Sequence, residues 1–136
     1  MLMVVPSFDH RFRWSSVPAI AAVAADVVAI AGFWIVFQVF KANTFTGATI
    51  QVAREQEVIS TGPYAAVRHP MYAGALLIVL ATPLALGSWW GLVAFVAILA
   101  VIVWRLQAEE RFLVDNLRGY VEYRSRVRYR LIPCVW

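Results

Sequence analysis

The chain has 136 residues, 62% hydrophobic and only 15% charged, with a mean hydropathy of +0.70 and a net charge of +4. A soluble domain carries close to half apolar and about a quarter charged residues, so this composition excludes intrinsic disorder, argues against a soluble globular domain and points to a membrane protein. A spanning helix needs about 20 apolar residues, which limits the chain to three or four spans.

Residues 1–16 begin apolar and then carry Asp9, His10, Arg11 and Arg13. A secretory signal places its charges ahead of the apolar stretch, so no cleaved signal is expected. The first predicted span is Val17 to Phe40, with Asp26 as its one charge. A carboxyl inside a span points to function or to a polar partner in the bundle. No relay partner accompanies Asp26, which favours a protonated or helix-paired structural role.

Residues 41–68 form a polar loop. Thr49-Ile50-Gln51-Val52 alternates polar with apolar, Arg54-Glu55-Gln56-Glu57 reads as a turn, and Val58-Ile59 returns to apolar character. The pattern predicts a small β-hairpin. Thr61-Gly62-Pro63 punctuates the chain, and a helix is expected to start near Pro63 or Pro70.

Met71 to Trp104 contains no charge. One helix of that length would be about 51 Å long, too long for a hydrocarbon core of about 30 Å. Gly87-Ser88 offers a break and Trp89-Trp90 reads as an interfacial aromatic pair. The prediction is a tight helical hairpin over 69–105, its arms about 23–25 Å long, flanked by Arg68 and Arg105 as snorkelling anchors.

The tail, 106–136, starts as a helix with Leu106, Phe112, Leu113 and Leu117 on one face. After Gly119, Arg126, Arg128 and Arg130 alternate with Val127, Tyr129 and Leu131, which suggests an extended segment against the membrane face. The fold expected is all-α and integral to the membrane: a single domain of about three transmembrane helices, a β-hairpin loop, and a C-terminal helix with an extended tail. Lys41, Arg54, Arg68 and seven tail arginines lie on one side, against Arg11 and Arg13 on the other. Loop 41–70 and the C-terminus are therefore assigned to the cytoplasm.

Several chemistries find no support. The lone Cys134 allows no internal disulfide, and His10, His69 and Cys134 have no metal-ligand spacing, so no metal site is expected. A phosphate-binding glycine loop and a Ser/His/Asp set are absent from the sequence. The basic tail carries no nucleic-acid recognition module, so no nucleic-acid partner is expected.

Polar groups gather in two places. Tyr64, Arg68, His69 and Tyr72 stand at one mouth of the hairpin, and Arg105, Glu109 and Glu110 follow its second arm. If the first group is helical, Tyr64 neighbours Arg68 and His69 neighbours Tyr72. A hairpin returns the second group beside the first, which makes a pocket at one membrane face. The competing reading keeps Arg68 and Arg105 as anchors and Arg105–Glu109 as a surface pair, and spacing alone does not separate the two.

Gly62-Pro63-Tyr64 followed by Val67-Arg68-His69-Pro70-Met71-Tyr72-Ala73-Gly74 resembles the G-P-Y-x-x-x-R-H-P-x-Y-x-G signature of the isoprenylcysteine carboxyl methyltransferases and the related phospholipid methyltransferases. A second signature is Glu109-Glu110, then Tyr120-Val121-Glu122-Tyr123, Arg126-Val127 and Pro133. The resemblance covers about residues 30 to 136.

It implies S-adenosylmethionine-dependent methyl transfer at the cytoplasmic membrane face, without a Rossmann domain. Carried over, His69, Tyr72 and Gly74 would contact the cofactor and Glu109 and Glu110 would complete its pocket. Arg68 would orient an anionic substrate, with Tyr64 and Arg105 beside it. The implied substrate is a lipidated, isoprenylcysteine-like or small hydrophobic acid, methylated on its carboxyl group. A carboxylate is already a nucleophile, so alignment and exclusion of water would be the main demands.

Members of that family usually carry further spans ahead of Val17. The chain is thus expected to be a short or N-terminally truncated member, or to form an oligomer, with Met1 to Val5 as the end of a lost helix. The alternative enzyme is an NADPH-dependent sterol reductase, whose tail Arg126 to Pro133 resembles. Met71 and Ala75 stand where those reductases carry an Asn and usually an acid, which favours methyl transfer. An inactive membrane subunit is the non-enzymatic alternative.

Overall fold

The computed structural model describes residues 2–42 and 58–136. Its regular elements are all helical: α1 (Val4–Phe12), α2 (Ala19–Ala42), a 3-10 turn (Gly62–Ala65), α3 (Pro70–Ala85), α4 (Leu92–Asn116) and α5 (Tyr120–Arg126). The expected β-hairpin falls largely outside the described residues, and Val58 and Ile59 have no regular structure.

Two helices, α2 and α4, are long and apolar enough to cross a membrane. Only 11% of the apolar window of α2 and 17% of that of α4 is buried in the protein, so neither is the sheltered core helix of a soluble fold. Large side chains such as Ile20, Ile30, Phe33 and Trp34 point outward, where acyl chains suit them. The expected third crossing is α3, of 16 residues. At about 1.5 Å per residue it is about 24 Å long, shorter than a hydrocarbon core. Asp26 lies on the exposed surface of α2, not in a polar niche inside the bundle as its place in the sequence suggested.

The two apolar arms meet as expected and break between Ala85 and Leu92. Pro70 occupies the first turn of α3 and Pro63 that of the 3-10 turn, where a missing N–H costs nothing. Helices α2 and α3 cross where Gly32 faces Gly74: a Cβ on Gly32 would stand 2.8 Å from the Gly74 carbonyl oxygen, and one on Gly74 would stand 2.9 Å from that of Gly32. Small residues permit this backbone approach, the usual means of packing helices where lipid removes the hydrophobic drive.

Three features differ from expectation. First, Val4–Phe12 is a helix in its own right, folded across the α3–α4 turn. Its Pro6 lies against Gly91, as Pro83 does, and its Asp9, fully buried, accepts hydrogen bonds from the Ser15 N–H (2.7 Å), the Ser15 hydroxyl (2.6 Å) and the Ser88 hydroxyl. Second, α4 does not stop at Arg105 but continues to Asn116, because Leu-Gln-Ala-Glu-Glu-Arg are strong helix formers. Third, Tyr120–Arg126 is helical and opens with Gly119 at φ 85. Only from Val127 does the chain become extended.

Candidate functional site

The entry to α3 is buried from Val67 to Pro70. Its backbone pairs with the segment after α5: the Arg68 N–H donates to the Tyr129 carbonyl and the His69 N–H to that of Arg130, both at 2.9 Å. Pro70 has no N–H to offer, so the pairing ends there and α3 begins. The 3-10 turn stops before Ala66, which separates Tyr64 from Arg68. They are not the helical pair their spacing allowed. The Tyr64 carbonyl instead accepts the Tyr123 hydroxyl at 2.7 Å, which ties α5 to the turn.

Glu109 and Glu110 come from adjacent positions on α4, about 100° apart around the helix, and they serve different groups. Glu110 is buried and takes three partners. Arg68 approaches Oε1 through Nε and Nη2, both at 2.7 Å; His69 Nε2 lies 3.3 Å from Oε1; Arg130 Nε donates to Oε2 at 3.0 Å. Arg68 Nη1 donates to the carbonyls of Val127 and Arg128, both at 3.1 Å. Every nitrogen of the Arg68 guanidinium is thus engaged, and the side chain is 7% exposed. Arg68 is no snorkelling anchor: it is the centre of a clamp joining α3, α4 and the final segment.

Glu109 faces the other way. Its Oε2 accepts the Tyr72 hydroxyl at 2.6 Å, and Arg105 Nε donates to the same hydroxyl at 3.0 Å. The expected Arg105–Glu109 pair is therefore relayed through Tyr72. Arg105 is exposed, as the anchor reading had it. The His69 and Tyr72 rings lie 5.9 Å apart.

These groups border a cavity of about 320 Å³ whose walls include Tyr64, Arg68, His69, Tyr72 and Glu109, within the size range of small-molecule pockets. Leu113 and Leu117, about one and two helical turns beyond Glu109, and Tyr120 complete its lining at the end away from Glu109. Burial pushes the Tyr120 phenol up to about 12, helped by the negative charge of Glu110. Burial likewise raises Tyr123, with the Tyr120 and Tyr64 phenols adding to it. Both are neutral hydroxyls at any physiological pH.

The structure thus brings together Tyr64, Arg68, His69, Tyr72, Arg105, Glu109 and Glu110. Gly74 lies apart, in the crossing of α2 and α3. Sequence reasoning missed Tyr120 as a pocket residue and Arg130 as a partner of Glu110. The first was visible only as part of a motif, and the second only as one of several alternating arginines. No group of His, Cys, Asp and Glu suited to a metal ion occurs among the described residues.

The described residues form a helical scaffold with two helices long and apolar enough to cross a membrane, a polar cluster beside a cavity and no nucleotide-binding sheet, which together point to the class of membrane-associated enzymes. Residues 20–118 match the phospholipid methyltransferase family, and the chain belongs to it. It is therefore a membrane methyltransferase, of a family related to the isoprenylcysteine carboxyl methyltransferases. No curated protein matches the chain.

Proposed function

We propose that the chain transfers a methyl group from S-adenosylmethionine to a lipid-borne acceptor at the cytoplasmic face of the membrane. The observation that carries this reading is the Arg105–Tyr72–Glu109 relay on the wall of an apolar cavity, in a chain of a methyltransferase family. The donor supplies an electrophilic methyl group on a positively charged sulfur. The residues suit it: Glu109 offers a carboxylate to a cation, Tyr64, His69 and Tyr72 offer ring faces, and Leu113 and Leu117 offer an apolar wall.

Each side chain has a distinct part. Glu109, held by Tyr72, attracts the cationic portion of the donor, and His69 and Tyr72 flank it. Arg68 and Glu110 fix the pocket wall by clamping the segment 127–130, so their action is positioning. Arg105 is exposed and donates to Tyr72 through Nε, and it serves the anionic part of the acceptor. That acceptor is a phospholipid headgroup, in keeping with the family's name, or the carboxyl group of a lipidated acid, in keeping with the motif. It approaches from the bilayer, while the donor enters from the cytoplasm. Water exclusion by the apolar wall and alignment of the two reactants supply the rate.

The test is equilibrium binding to the purified protein in nanodiscs. S-adenosylmethionine and S-adenosylhomocysteine should compete for one site, with NADPH inert. Binding of NADPH alone would favour a reductase, and binding of neither a catalytically silent subunit. Methyl-labelled donor, supplied with phospholipid vesicles or with a prenylated cysteine, then separates the two acceptors.

A further inference from the structure

Tyr120 is 3% exposed, and its hydroxyl is a buried polar atom that lacks a hydrogen-bond partner. It is the one such side-chain atom among the described residues. A buried hydroxyl without a partner costs about 1–3 kcal/mol of desolvation, and native folds rarely retain one without a reason. Tyr123, its neighbour at a ring distance of 5.8 Å, satisfies its own hydroxyl on the Tyr64 carbonyl. Tyr120 instead lines the cavity beside Leu113, Leu117 and Val58.

That end of the cavity differs in kind from the end at Glu109. Its walls are aliphatic and aromatic, and Leu113, Leu117 and Val58 pack directly against the Tyr120–Tyr123–Val127 cluster. An anionic group there would need a cation, and the guanidinium on that wall, Arg68, has every nitrogen committed to Glu110 and to backbone carbonyls. A flat neutral ring with a hydrogen-bond acceptor on its edge meets both conditions, for it buries cheaply against Leu113 and Leu117 and accepts from one neutral donor. The raised pKa of Tyr120 keeps that donor protonated.

Resting on the reading of the pocket as a site for S-adenosylmethionine, we propose that the Tyr120 hydroxyl is a cofactor-binding group that donates to the adenine ring. The adenine lies at the Leu113–Leu117 end of the cavity and the cationic methionyl portion at the Glu109–Tyr72 end.

The experiment compares Tyr120→Phe with the unaltered protein by calorimetric titration with two ligands, S-adenosylhomocysteine and 5′-methylthioadenosine, which lacks the amino-acid portion. The variant should bind both about three- to tenfold more weakly, the loss of one neutral hydrogen bond. Its melting temperature without ligand should be unchanged or higher, because an unpaired hydroxyl has gone. Glu109→Gln should weaken S-adenosylhomocysteine alone. Unchanged affinity of Tyr120→Phe for both ligands would overturn the proposal, and so would a loss confined to S-adenosylhomocysteine, which would put the hydroxyl at the amino-acid end. Failure of the unaltered protein to bind S-adenosylhomocysteine would instead defeat the methyl-donor reading itself, and this inference with it.

Discussion

Arg68 and Glu110, 42 positions apart in the chain, are joined in a buried two-point ion pair, with Arg68 Nε and Nη2 each 2.7 Å from the same carboxylate oxygen. Arg130 reaches the second oxygen of Glu110, and Arg68 spends its remaining nitrogen on the carbonyls of Val127 and Arg128. One carboxylate and one guanidinium thereby hold three parts of the chain around the pocket.

Removing one partner from a buried pair strands the other charge, at a cost of about 3–5 kcal/mol. Glu110→Ala should therefore lower the melting temperature sharply. It should also free the segment 127–130, and limited trypsin digestion should cut after Arg128 and Arg130 faster than in the unaltered protein. A digestion pattern indifferent to Glu110 would mean the clamp does not hold that segment.

Tyr72 joins Glu109 to Arg105 through its hydroxyl alone. Tyr72→Phe keeps the ring that faces His69 and should leave the fold intact. Binding of S-adenosylhomocysteine should weaken by about tenfold or more, the effect of losing a hydrogen bond to a charged group. The measurement is calorimetric titration, with melting temperature as the control.

The contact of Gly32 with Gly74 admits no side chain. Gly32→Ala and Gly74→Ala should each destabilise by about 1–3 kcal/mol, because the added methyl meets backbone oxygen as well as the side chains of Ile78 or Val36. Once the gap has been forced open by one, the second should cost less than the sum. Unfolding titrations in mixed micelles read both effects. Gly74→Ala also tests the cofactor contact that the motif resemblance implies for Gly74: a ligand affinity unchanged in the folded fraction would confine this glycine to helix packing.

Asp9 predicts a pH effect. Burial alone would raise its pKa, but hydrogen bonds from the Ser15 and Ser88 hydroxyls and from the Ser15 and Trp90 backbone outweigh it, leaving the carboxyl below its ordinary value of 3.8. A lowered folded-state pKa means the unfolded chain binds the proton more tightly. The stabilisation is therefore complete above the ordinary carboxylate range and declines as pH falls through 3.8 toward the lower folded value. Asp9→Asn should melt at a lower temperature than the unaltered protein at pH 7, and the gap between the two should close below that range.

Much of this site was legible in the sequence because so few residues are polar. Once Gly87-Ser88 marked a turn between apolar arms, Arg68-His69 and Glu109-Glu110 had to meet. The partition of roles was not legible. Whether Arg68 faces a substrate or its own chain depends on the carbonyls of Val127 and Arg128, and backbone acceptors some 60 positions away leave no trace in composition or spacing. The helix expected from Leu106 is there, but that it is one with the second arm was hidden for a different reason: hydropathy changes at Arg105 while helix propensity does not. Helix α1 escaped notice because nine residues with Pro6 near the start are too short and too mixed for a clear periodicity, and it is fixed by Asp9 and Pro6 touching a turn some 80 positions away.

The clamp also divides what the apolar helices hold by themselves from what the final segment adds. Helices α2, α3 and α4 all precede residue 127 in the chain, and a bilayer can hold the apolar ones without it. Without the arginine-rich segment, Arg68 and Glu110 have only each other and His69, and the pocket lacks the wall that 127–130 pins down. A chain interrupted just beyond α4 would therefore keep its apolar helices and lose the backbone partners of Arg68 and His69 that shape the cavity.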